Sequence, residues 1–126
     1  MSAHVYVIEG IPRSGKNSQR IALNRKTGRR FTLKSKSASA WLSAAEAQLL
    51  VQRGRRKPLG GKLGIHIVCY QRADVCDGDN MQALVWDALK GLVVEDDKQF
   101  VRWSGAKEID RVRPRVEVTI NVLEAA

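Results

Sequence analysis

The sequence predicts a single α/β domain in which strands alternate with two main helices. Three observations predict it. The chain has 126 residues, which suits one modest hydrophobic core. Two stretches carry apolar residues at the spacing of one helical face. Around them lie short runs rich in β-branched and aromatic residues, the pattern of strands. No internal repeat or linker divides the chain, so one domain is expected over residues 1–126.

His4 to Glu9 (HVYVIE) reads as the first strand, followed by a polar, glycine-containing loop from Gly10 to Gln19. Ile21 to Leu23 and Arg30 to Leu33 pair as a hairpin around Asn24 to Gly28. Ala38 to Gln52 forms the first helix, with Ala38, Trp41, Leu42, Ala45 and Leu49 on one face. Gly54 and Pro58 end it, and Gly60-Gly61 makes a turn. Leu63 to Tyr70 is a strand whose residues Ile65, Ile67 and Cys69 share a face. The second helix is expected to begin at Asp79, with a capping box from Asp79 to Gln82. Met81, Leu84, Val85, Ala88 and Leu89 form its apolar stripe, and Gly91 closes it. Leu92 to Val94 reads as a short buried strand leading into Glu95-Asp96-Asp97. Phe100 to Trp103 and Val116 to Val122 read as the last two strands.

Charge is strong and unevenly spread. The net charge is +9 and the isoelectric point about 10.1, which points to an anionic partner. From Gly10 to Lys36 there are nine cations and no acid; Arg53 to Lys62 adds five more, again without an acid. Asp74 to Asp97 holds seven acids and a single cation, Lys90. Basic flanks around an acidic centre suit a metal-dependent nuclease, because cations hold phosphates and carboxylates hold the metal. By composition alone, a solvated basic surface, as in many ribosomal or histone-like proteins, is the better account. No run of 18 or more apolar residues occurs, so no membrane span is expected. No apolar leader is visible, and a cytoplasmic location is expected. Cys69 and Cys76 lack a CxxC arrangement or a nearby histidine, so they read as ordinary thiols and not as a zinc site.

Asp77 and Asp79 stand two apart, so an extended segment points both carboxylates the same way. Asp96 and Asp97 follow the expected strand at Leu92 to Val94. A strand-helix-strand unit ending in that strand returns them to the edge that carries Asp77 and Asp79. Clustered carboxylates repel unless a cation neutralises them, and Mg²⁺ is the natural oxygen-loving cation. Spacing alone leaves open that Asp79 is only a helix cap and Asp96-Asp97 an acidic turn. An EF-hand is excluded, because Gln82 stands where the loop requires glycine and Ala88 where it requires glutamate. Gly10 to Lys16 matches GxxxxGK, but Asn17 replaces the metal-holding hydroxyl and Pro12 removes an amide from the cradle. No nucleotide cofactor is expected.

Asp77-Gly78-Asp79-Asn80-Met81-Gln82, Trp86-Asp87-Ala88-Leu89 and Val93-Val94-Glu95-Asp96-Asp97-Lys98-Gln99 together resemble the signature of the RusA resolvases: a DxDN motif, a helix containing D-A-L, and a V-x-D-D-x-Q segment. The resemblance is dense from Asp77 to Val101 and weaker elsewhere. It implies a mixed α/β fold, an α+β mixed sheet with two main helices, in a single domain that forms a homodimer. It implies Mg²⁺-dependent cleavage of four-way DNA (Holliday) junctions by paired nicks, with Mn²⁺ as an alternative ion, in a bacterial or phage setting. By matching, Asp77, Asp79 and Asp97 are the essential metal-binding acids and Asp96 an accessory one. Lys107 matches a basic residue that the family places after that segment. Asp87 also matches and reads as structural. Where the family often carries a lysine shortly after DxDN, this chain has Ala83; Lys16, Arg72 and Lys107 are the candidates to replace it.

On this reading Arg13, Lys16, Arg20, Arg29, Arg30, Lys34, Lys36 and Arg72, with the cluster from Arg53 to Lys62, hold junction arms through the phosphate backbone. Tyr70, Phe100 and Trp103 are expected in the core or an interface, and alternatively as wedges at the junction centre. The rivals are a nuclease of the same fold acting on flaps or forks, and a non-catalytic nucleic-acid-binding protein.

Overall fold

A computed structural model describes residues 3–12, 20–23, 30–33 and 36–126. The elements run β1 (Ala3–Glu9), β2 (Arg20–Leu23), β3 (Arg30–Leu33), α1 (Lys36–Arg53), β4 (Lys62–Gln71), α2 (Gly78–Leu89), β5 (Phe100–Ile109) and β6 (Arg115–Glu124), with a 3₁₀ turn at Asp97–Gln99. The main sheet has the order β1-β6-β4-β5, and β2 and β3 form a separate antiparallel pair. β6 is antiparallel to both β1 and β4, whereas β4 and β5 are parallel. The chain is therefore the expected α+β domain: a mixed four-stranded sheet with two helices.

Alternation along the strands selects the face that the helices cover. Tyr6 and Ile8 of β1, Ile65 and Ile67 of β4, and Val118 and Ile120 of β6 are buried, while their neighbours Val5, His66 and Asn121 are not. Against that face pack Ala38, Trp41, Ala45 and Leu49 of α1 and the full predicted stripe of α2. Leu42 joins this core from its margin. The outer edge of β1 is closed by α1. Gln52 accepts from Val7 N (2.8 Å) and donates to Val7 O (2.6 Å), and Gln48 accepts from Glu9 N (2.8 Å).

Three expectations are corrected. The cap of α2 is Asp77, not Asp79: the Asp77 side chain accepts from Asp79 N at 3.0 Å, which places Asp79 in the first turn. The capping box lies instead at Asp96 and Gln99. Leu92 to Val94 is not a strand. Gly91, at a φ of 81°, reverses the chain, and Leu92, Val93 and Val94 donate back to Leu89 O, winding the apolar run into a turn under α2. The strand that completes the strand-helix-strand unit is β5, which is much longer than Phe100 to Trp103 and begins after the acids. The turn expected at residues 24–28 lies outside the described residues.

The link from β5 to β6 crosses the end of β4, where Asp110 N donates to Gln71 O at 2.9 Å. Asp110 accepts from Val112 N (3.0 Å), Arg113 N (3.1 Å) and Arg115 Nη1 (2.8 Å). Arg115 foremost, then the two amides, hold the carboxyl at a pKa of about 2. A carboxylate with a lowered folded pKa stabilises the fold fully above the ordinary aspartate value of about 4. That contribution is lost as pH falls through about 2. NMR titration of the Asp110 carboxyl should give a midpoint near that value, and Arg115→Met should raise it. A midpoint at the ordinary value in the unaltered chain would refute the assignment.

Candidate active site

The site begins at the buried end of β4. Gln71 occupies a core-facing register position and is 1% exposed. Its Oε1 accepts from Val75 N and Cys76 N, both at 3.1 Å, and its Nε2 donates to Asp74 Oδ1 at 3.2 Å. One buried carboxamide thereby shapes the loop that delivers Asp77. The loop is tied to β5 by Lys107, whose Nζ donates to Asp74 Oδ1 (2.7 Å) and Cys76 O (3.3 Å). The hydrogen bond to Lys107 is the main reason the Asp74 carboxyl lies below its usual range, and the same bond raises Lys107. Cys69 and Cys76 are free, buried thiols beneath this loop. The side-chain hydrogen bond between them pushes the Cys69 thiol up and the Cys76 thiol down.

Asp77 and Asp79 sit at the amino end of α2, where unpaired backbone amides give a partial positive charge. One oxygen of Asp77 is engaged by the cap. The Asp79 carboxylate is exposed and has no hydrogen-bond or ion-pair partner among the described residues. Asp79, Gln82 and Lys107 line one open cleft of about 320 Å³ between α2 and β5, floored by Ile67 and Gly105. The structure thus brings Asp77, Asp79 and Lys107 together. Of the three cations expected to replace the absent lysine at Ala83, Lys107 is the one in this cleft; Arg72 is exposed in the preceding loop, and Lys16 lies outside the described residues.

Asp96 and Asp97 are elsewhere. They precede β5, whose start packs against the far end of α2: the Phe100 and Trp86 rings lie 5.1 Å apart. At 1.5 Å per residue, the helix from Asp79 to Lys90 separates the two acidic groups by about 16 Å. Among the described residues no three His, Cys, Asp or Glu side chains are placed to hold a metal ion. The expected convergence of Asp77, Asp79 and Asp97 within one chain is therefore corrected, and the cause is topological. Acids after a parallel strand return to the same sheet edge, whereas acids before it lie at the opposite edge. Hard carboxylate oxygens at both places suit Mg²⁺ in kind, and each place alone supplies too few of them. The Asp96 side chain accepts from Lys98 N, and that bond foremost holds the Asp96 carboxyl below its usual range.

The expected DNA-binding cations are only partly visible. Arg13, Lys16, Arg29 and Lys34 lie outside the described residues. Arg20 begins β2, Arg30 begins β3 and Lys36 begins α1. In the second basic cluster Arg53 donates to Leu92 O at 3.1 Å, and Arg56 donates to Arg53 O and Gln52 O. These two fasten the carboxyl end of α1, while Arg55 and Lys57 remain exposed. Phe100 is buried, and Tyr70 lies under the Arg115 guanidinium at 3.9 Å. Trp103 stands 58% exposed beside Trp86.

Residues 12–121 match the family model described as endodeoxyribonuclease RusA. The chain belongs to the RusA family. It is thus an endodeoxyribonuclease, a hydrolase acting on DNA, in a family of Holliday-junction-resolving nucleases that are generally divalent-metal dependent. No curated protein matches the chain significantly. No helix among the described residues is long and apolar enough to cross a membrane.

Within this RusA domain, Gln71 is the positioning residue that the sequence reading passed over. Its signal was a polar side chain continuing the inward alternation of Leu63, Ile65, Ile67 and Cys69. Gln71→Leu keeps the bulk and removes the acceptor. Leaving the buried Cys76 amide unmet should cost about 1–3 kcal/mol. Denaturant unfolding reads that loss, and an unchanged midpoint would show that the loop does not depend on the carboxamide.

Proposed function

We propose that a homodimer of this chain resolves four-way DNA junctions by paired, Mg²⁺-dependent nicks, with each active site built from both copies. One observation carries this reading: Asp79 and Lys107 line one cleft beside the Asp77 cap of α2, and Asp97 precedes β5 at the opposite end of that helix. A second copy related by a two-fold axis supplies what the first lacks, and the same rotation makes two equivalent sites. A four-way junction has near two-fold symmetry, so paired sites suit paired nicks.

Asp77 and Asp79 of one chain, with Asp97 and the accessory Asp96 of the other, would hold the ion. A bound divalent cation supplies activation of the attacking water and neutralises charge on the phosphate. The chain's own groups do the rest. The cap of α2 fixes Asp77. Lys107 and Asp74 hold the preceding loop, leaving the Asp79 carboxylate exposed. Lys107 brings positive charge to the cleft wall, where a backbone phosphate would lie. The exposed cations hold the junction arms by their phosphates, without base readout.

The test is cleavage of a labelled four-way junction, a fork and a linear duplex, each with Mg²⁺ or EDTA. Nicks confined to the junction with Mg²⁺ are expected; equal cutting of the fork would favour a broader branched-DNA nuclease. Asp79→Asn should abolish cleavage while junction binding survives. Mixing Asp79→Asn with Asp97→Asn chains tests the shared site directly. In a mixed dimer one composite site keeps every acid, so single nicks should reappear. A site contained within one chain gives no recovery.

A further inference from the structure

We infer that the dimer forms along β5, whose outer edge pairs antiparallel with the same strand of a second copy, in a register centred on Gly105. The inference rests on the dimeric reading above and adds its surface and register. The sheet order leaves two outer edges, on β1 and β5. The first is filled by Gln48 and Gln52 of α1. No described residue bonds to the second. β5 is ten residues long, and only its first residue is buried. Val101, Trp103 and Ile109 are exposed upon it. Beyond an irregularity at its start, the pairing of Arg102 to Ile109 with β4 is regular. Neither proline nor a mid-strand bulge blunts this edge, and such a strand is a ready template for another.

The sequence of the strand fits its own reverse. A two-fold axis perpendicular to the sheet makes edge strands antiparallel and keeps both pairs of helices on one face. Opposed residues then point to the same side. With Gly105 facing its copy, Arg102 lies opposite the partner's Glu108, Trp103 opposite the partner's Lys107, and Ser104 opposite the partner's Ala106. Neither Arg102 nor Glu108 has an ion-pair partner among the described residues. Trp103 gains the apolar stem of a lysine over its exposed ring. Centring the axis on Ser104 would oppose Arg102 to alanine, and centring it on Ala106 would oppose Glu108 to serine. The Gly105 register alone satisfies both charges with groups not already engaged. It also sets the partner's Phe100 opposite Asp110. The partner's Asp97, one turn earlier, then arrives at the edge that carries Asp77 and Asp79, which the split acid set requires independently.

The test is a charge swap read by sedimentation equilibrium on the full chain without DNA. Arg102→Glu and Glu108→Arg each set like charges opposite one another at two symmetric places, and each should weaken the dimer roughly tenfold. The double variant Arg102→Glu/Glu108→Arg should recover the original affinity. Both positions are exposed, so circular dichroism should show an unaltered fold in all three. A monomer at every concentration, a dimer indifferent to the single changes, or a double variant no tighter than the weaker single would each overturn the inference. Junction cleavage is measured separately on the same proteins. An active nuclease whose dimer ignores the swap removes the seam and leaves the proposed function standing. A swap that recovers the dimer without any Mg²⁺-dependent nicking does the reverse.

Discussion

The parallel pairing of β4 with β5 constrains everything else in this molecule. Two parallel strands need a crossover, and α2 is that crossover. The helix must run back along the sheet, so its amino end lies where β4 stops and its carboxyl end where β5 starts. Acids on either side of the helix are therefore held apart by its length. The chain cannot close that gap by side-chain motion, because an aspartate reaches only a few ångströms. The separation of Asp77 and Asp79 from Asp96 and Asp97 within one chain follows from strand direction, not from any detail of packing.

The same arrangement explains why paired acids are tolerated where they stand. Asp77 and Asp79 repel one another, yet both lie at a helix amino end, where unpaired amides favour negative charge. Asp77 converts part of its charge into a cap bond. Lys107 adds a cation nearby but spends its shortest contact on Asp74, so it steadies the loop without neutralising Asp79. An unengaged carboxylate thus remains at the mouth of the cleft in a protein of net charge +9. Such a group is costly as a stability device and useful as a ligand.

Much of this was legible in the sequence. Both helices showed in their apolar stripes, because every predicted stripe residue of α2 is buried and α1 lost only Leu42 to the core margin. The strands showed in their alternation, and the linked acidic segments pointed to the family that the family model shows. The site was legible by composition and not by position. Asp77 and Asp79 are both capping residues by type, and only the geometry of the Asp79 amide assigns the cap to Asp77. Leu92 to Val94 has a strand's composition, but three residues beside Gly91 do not distinguish a strand from a buried turn. That single ambiguity moved Asp97 from one sheet edge to the other. β5 extends beyond its sequence signal because Ser104 to Lys107 lacks β-branched residues, as an exposed edge without a second neighbour among the described residues permits.

A site divided between copies links chemistry to assembly. On that reading a lone chain would keep its basic surface and bind any duplex through phosphates, since that attraction carries no information about shape. On the proposed reading, cutting would need acids that a two-fold arrangement unites, and that arrangement would present two cuts at a fixed separation and orientation. Selectivity for a branch then needs no base-reading side chains. It would arise because a substrate must offer two backbones to two sites at once, and a junction with matching symmetry does so without bending each arm separately. The physical origin of that proposed demand is the crossover helix, which sets Asp77 and Asp79 of one chain far from its Asp96 and Asp97.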